Sequence, residues 1–175
     1  MRLILTALLL SAASAAHADA PATTADTNAL CEGWTGNWHI NADTTRQPDG
    51  NWQPDGAGTD WRVEALGPGK CRFYFGTPEV RAFDIDASGT DYVYTPFADG
   101  QAGTTERSRY VRQEIRDVRH WTIEVLAPPQ SADHPRYSRL TMIMAGDYFF
   151  ITSSSSNSAT GPFELESYTT HVRRR

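Results

Sequence analysis

Cys31-Glu32-Gly33-Trp34-Thr35-Gly36-Asn37-Trp38 is the stretch from which the fold is read. Two tryptophans four residues apart, small residues between them and a cysteine at the head make a dense packing unit. Short alternating runs follow, split by turn residues, and no helical period is held over three turns. Gly36 to Asn41 reads as the first strand. Asp60 to Leu66 and Lys70 to Phe75 flank Gly67-Pro68-Gly69, a tight hairpin connection. Glu79 to Asp84 and Thr90 to Thr95 are split by Asp86-Ala87-Ser88-Gly89. Ser108 to Ile115 and Trp121 to Leu126 come next. Arg139 to Met144 and Tyr148 to Thr152 flank Ala145-Gly146-Asp147, the clearest hairpin, and Phe163 to Val172 is last. The stretch Thr105 to Arg116 has period two, with Tyr110, Arg112 and Glu114 on one face and Val111, Gln113 and Ile115 on the other. An open sheet of this size would leave two long edges liable to aggregate. The expectation is an all-β domain, an antiparallel up-and-down barrel of about 8–10 strands.

Upstream of this stretch, Arg2, the apolar run Leu3 to Leu10 and the pattern Ala16-His17-Ala18 read as a secretory signal peptide over residues 1–18. The run is too short for a membrane anchor, so no integral membrane segment is expected. Residues 19–29 lack apolar periodicity and read as a disordered lead-in. Residues 30–175 then form a single domain. Removing residues 1–18 takes away Arg2 and no acid, which leaves 15 basic against 21 acidic side chains, or −6. That balance argues against a nucleic-acid binder, which needs a basic face. The two cysteines, Cys31 and Cys71, read as a disulfide in an exported protein. The expected location is periplasmic or secreted.

Two loops stand out. Gln-Pro-Asp-Gly occurs twice, at 47–50 and 53–56, and brackets Trp52. Trp52 either lids a cavity mouth or folds back onto the outside of the barrel. Ser153 to Gly161 is serine-rich without a strained nucleophile elbow and reads as a solvated loop. Lys70, the only lysine, sits in an exposed turn and is a poor nucleophile.

Gly36-Asn37-Trp38 resembles the Gly-x-Trp with which calycin-type barrels open, the lipocalins and avidins among them. Ten strands are closer to the fatty-acid-binding and nitrobindin-like members. The resemblance implies a calycin- or lipocalin-like barrel enclosing a ligand cavity. In lipocalins an arginine of the last strand packs over that tryptophan. Here the resemblance gives that place to Arg173 or Arg174 over Trp38, a structural role. Trp34 receives no assigned place.

His39 and His171 fall on the first and last strands, where a closed barrel makes them neighbours. One of them could stand where a late-strand histidine ligates haem in the nitrobindin-like group. Both read as ordinary strand histidines, and neither a cofactor nor a metal site is expected. No catalytic residue is assigned. Phe73, Phe75, Phe83, Tyr92, Tyr94, Tyr110 and Trp121 fall on successive strands and would line an apolar cavity, with Arg112 as the cation beside Tyr110. Apolar walls with sparse polar anchors suit a small ligand. The expected function is non-catalytic binding of a small hydrophobic or amphipathic molecule. The alternatives are a cell-envelope protein-interaction module with a filled barrel, and an isomerase or cyclase working in the lumen.

Overall fold

The computed structural model describes residues 24–54, 60–75, 81–133 and 135–175. The expected signal peptide lies outside these residues, as do the second Asp-Gly turn at 55–56 and His134. A helix, α1 (Thr24–Trp34), precedes twelve strands. They are β1 (Gly36–Arg46), β2 (Trp52–Pro54), β3 (Asp60–Gly67), β4 (Lys70–Phe75), β5 (Arg81–Asp86) and β6 (Asp91–Ala98). After them come β7 (Gln101–Ala102), β8 (Glu106–Asp117), β9 (His120–Ala127), β10 (Tyr137–Ala145), β11 (Tyr148–Ser156) and β12 (Glu164–Arg173).

Ten of these strands form one antiparallel ring in the order β1-β3-β4-β5-β6-β8-β9-β10-β11-β12, and β12 pairs back onto β1. The short strands β2 and β7 are rim additions to β1 and β6. All ten strands expected from the alternation are present, and the barrel is closed. Among the described residues no helix is long and apolar enough to cross a membrane.

α1 overturns part of the sequence expectation. The lead-in was expected to lack structure as far as Ala29, but the chain is helical from Thr24. Its apolar periodicity is weak; Ala29, Leu30, Cys31 and Trp34, clustered in its second half, are the apolar side chains it buries among the described residues. Short helices depend on such packing more than on propensity. Burying Leu30 and Trp34 contributes roughly 2–3 kcal/mol each. The Cys31–Cys71 disulfide, with Cα atoms 5.5 Å apart, ties the helix to β4. Gly36, at φ +127, ends the helix and turns the chain into β1.

Trp34 enters the closed end of the barrel. Its ring meets Phe73, Trp121 and Phe149 edge-on at 5.1, 5.3 and 5.6 Å. Its backbone carbonyl accepts a hydrogen bond from Trp38 Nε1 at 2.6 Å. Gly33 lies so close to the β8–β9 turn that a Cβ there would run into the Val118 carbonyl oxygen and come within 2.9 Å of Trp121 Nε1. This end therefore consists of α1, the start of β1, the turns β3–β4, β5–β6, β8–β9 and β10–β11, and the end of β12. The opposite end is the mouth.

Candidate functional site

Register shows which side chains face inward, and exposure shows how deep each one lies. Near the closed end, Trp38, Val63, Phe73, Ile85, Tyr92, Trp121, Ile123, Met142, Met144, Phe149 and His171 form a packed core. One or two residues further towards the mouth the same inward rows are only partly buried. Trp61 pairs with Trp38 and Phe75, Phe83 with Phe73, Tyr94 with Ile85, and Leu140 with Val125. Trp61, Phe75, Phe83, Tyr94, Pro96, Leu140 and Ile151 all keep some accessible surface. Packing therefore loosens towards the mouth: the barrel is a packed plug below, and above it the inward residues form a less tightly packed cup.

The cup has two unlike walls. On β3–β6 the rings form a continuous set: Trp61–Phe83 at 6.1 Å, Phe73–Phe83 stacked at 4.6 Å, Phe75–Phe83 at 5.8 Å and Phe83–Tyr94 at 5.2 Å. On β10, β11, β12 and β1 the inward positions turn polar. Leu140 is followed towards the mouth by Ser138, Ile151 by Ser153 and Ser155, and Ile40 by Asp43 and Thr45. Thr169 Oγ1 donates to Asp43 at 3.0 Å. Ser155 Oγ donates to Glu166 at 2.7 Å, and Arg136 Nε donates to Ser155 Oγ at 3.0 Å. Arg136 also pairs with Glu166, and Arg46 with Glu164 at 3.1 Å. These charged pairs line a cavity of about 800 Å³ between the β1–β2 turn and the β11–β12 loop.

Of the expected cavity residues, Phe75, Phe83 and Tyr94 stand in the cup. Phe73 and Tyr92 lie in the packed floor, and Trp121 lies at the closed end against Trp34. Burial pushes the Tyr92 and Tyr110 phenols well above their ordinary range. Tyr110 faces inward opposite Val125.

Arg112 is a correction, because it faces outward. A bulge between Tyr110 and Arg112 takes up Val111, so Arg112 pairs with Glu124 on the outer surface. Its guanidinium lies near Glu114 and Glu124 at 3.5 and 3.8 Å. Beyond the bulge, Gln113 and Ile115 join Tyr110 on the inner face, opposite Ile123 and Trp121. Strict alternation could not register the extra residue.

The serine run is a second correction. Ser153–Ser156 is not a loop but the mouth end of β11. Trp52 lies outside the barrel, 6.0 Å from the ring of Tyr168. His39 and His171 do not meet. His39 faces outward and bonds Asp60 at 2.8 Å, while His171 is buried in the core 4.2 Å from Trp61. Burial pushes His171 down to about 4. Among the described residues no three His, Cys, Asp or Glu side chains converge to hold a metal ion.

At the closed end Arg173 lies 4.3 Å over the Trp38 ring. Arg174 instead pairs with Asp60 at 2.6 Å. Trp61, Leu140, Asp43, Ser153 and Thr169 were missed by the sequence reading. Their signal was present as the inward parity of strands already identified by their neighbours.

Fold and lumen together define a closed ten-stranded antiparallel β-barrel, an architecture consistent with calycin-like barrels. No family model, curated protein or solved structure matches the chain.

Proposed function

We propose that the protein is an exported, non-catalytic binding barrel that holds a small, partly apolar molecule in its upper lumen. The observation that carries this reading is the loss of burial along inward rows between Phe73 and Phe75, Ile85 and Tyr94, and Met142 and Leu140. An aromatic wall facing hydroxyls and the Asp43 carboxylate suits a molecule with an apolar face and a hydrogen-bonding edge. The disulfide supports an oxidising compartment outside the cytosol. Titration with N-phenyl-1-naphthylamine, a neutral apolar fluorophore, tests the reading. Saturable one-to-one binding that Leu140→Trp blocks by filling the cup is the expected result. An absence of saturable binding by neutral apolar or amphipathic probes would overturn it.

A second reading, an envelope protein-interaction module, is favoured by the outer wall of β10–β12. Ile143, Tyr148, Phe150, Leu165 and Tyr168 are exposed there, and Trp52 of β2 extends the patch. Contiguous exposed apolar surface of this kind marks interaction sites. A photo-crosslinking residue at Phe150 would give a discrete product in whole cells, while one at Glu64 on the opposite wall would not. Equal labelling from both positions would remove this reading.

A further inference from the structure

A second concavity lies on the outside of the barrel. β8 joins β9 only from Arg109↔Leu126 onward; its first residues, Glu106 to Ser108, pair with β6 alone, while Ala127 of β9 pairs with β10. Where β8 and β9 part, the wall opens into a cleft of about 380 Å³. Its apolar surface is Leu126, Pro128 and Tyr137. Leu126 pairs with Arg109 on one side and Arg139 on the other, so its side chain points outward. It is nevertheless only 4% exposed. Leu126 thus forms the buried floor of an open recess whose accessible apolar walls are Pro128 and Tyr137.

Its rim is cationic. Arg107 and Arg109 occupy alternate positions on β8, so both guanidiniums stand on the same face about 7 Å apart along the strand. Arg107 has a distant partner, Asp91 at 3.7 Å, and its side chain is 71% exposed. Arg109 makes no ion pair or side-chain hydrogen bond among the described residues. Two guanidiniums against one carboxylate leave a positive rim on a chain of net charge −5. The complement of an apolar recess and a positive rim is an apolar body with one anionic head. A guanidinium fork matches a carboxylate in particular.

We propose that this cleft is a binding site, separate from the lumen, for a small-molecule carboxylate with an apolar body. Its volume is at the small end of ligand sites.

Calorimetric titration of the full chain with decanoate and with decanol, its neutral counterpart, tests the proposal. Decanoate is expected to bind about ten-fold more tightly, the size of one charge-assisted contact. Arg109→Gln with Arg107→Gln should erase that preference without altering decanol binding. Arg109→Lys should restore part of it. Ala159→Trp, which fills the cleft, should abolish the tight decanoate site, and Leu140→Trp, which fills the lumen, should leave it intact. Equal affinity for the two probes would overturn the proposal, as would a preference that survives loss of both arginines. Loss of the site in Leu140→Trp would place the carboxylate in the lumen instead. Displacement of decanoate by an acidic peptide or by phosphatidylglycerol vesicles at lower concentration than by other free carboxylates would overturn the small-molecule assignment.

Discussion

Arg173 and Trp38 face each other across the β12–β1 seam, with the guanidinium 4.3 Å above the indole. The same guanidinium donates to the carbonyls of Thr35 and Gly33, each at 2.5 Å. The Gly33 carbonyl belongs to the last turn of α1 and the Thr35 carbonyl follows it directly, so the arginine satisfies acceptors at the end of the helix. One side chain therefore joins the last strand, the first strand and the helix that plugs the barrel.

Arg173→Met should lower stability by about 2–3 kcal/mol, from a cation–π contact and two charge-assisted hydrogen bonds. Arg173→Lys keeps the charge but cannot reach both carbonyls and a ring face with one ammonium. It should recover less than half of the loss. Urea denaturation of the three proteins measures both effects.

Gly33→Ala separates packing from propensity. Alanine in place of glycine within a helix ordinarily stabilises by about 1 kcal/mol. Here the new methyl would run into the Val118 carbonyl of the β8–β9 turn. The expected outcome is destabilisation by about 1–3 kcal/mol, the usual cost of overpacking. A rise in Tm would mean that α1 does not press on that turn.

Most of the barrel was legible because its lower half obeys alternation. Strand boundaries failed where the lumen turns polar. β1 runs to Arg46 instead of Asn41, and β11 to Ser156 instead of Thr152. In both extensions the inward residues are Asp43, Thr45, Ser153 and Ser155, so the apolar rhythm stops while the hydrogen-bonded ladder continues. The part of the chain hardest to read as strand is thus the wall of the candidate site. Arg112 failed for another reason: the bulge at Val111 flips parity, and a bulge leaves no compositional mark. α1 was invisible because its buried side chains, Leu30, Cys31 and Trp34 foremost, derive their role from the barrel they close.

The disulfide between Cys31 and Cys71 spans 40 residues. Loop-closure entropy gives a stabilisation of about 4 kcal/mol for a loop of that size. Replacing both cysteines by serine should lower stability by about that amount, and α1 should loosen first because Cys31 is its covalent link to β4. Hydrogen exchange of the α1 amides should accelerate more than that of β10–β11. Uniform acceleration would show that the helix and barrel open as one unit.

The outward position of Arg112 makes a prediction about the lumen. Arg112→Ala should leave binding of the naphthylamine probe unchanged, because its ion partners Glu114 and Glu124 are on the outer surface. Phe83→Ala should weaken binding about ten-fold or more, because it removes the ring that touches Trp61, Phe75 and Tyr94. Measuring both variants beside wild type discriminates the two faces of the wall. Sensitivity to Arg112 with indifference to Phe83 would reverse the inside and outside assigned to β8.

His171 gives the barrel an acid sensitivity. Its ring is fully buried between Trp61 and Phe149. Burial disfavours the imidazolium and lowers the pKa from 6.5 to about 4. The unfolded chain therefore takes up a proton at higher pH than the folded one does. By linkage, the stability tied to the neutral ring is complete above pH 6.5 and is lost as pH falls from about 6.5 towards 4. A shift of this size corresponds to about 3 kcal/mol over the whole window. His171→Phe keeps an aromatic ring between Trp61 and Phe149 and removes the titration. The urea midpoint of wild type should fall between pH 7 and pH 4.5, while that of the variant should fall by only the smaller share due to carboxylates. Parallel pH profiles for the two proteins would mean that His171 is protonated inside the barrel without penalty, and the packed lower half would then have to admit water.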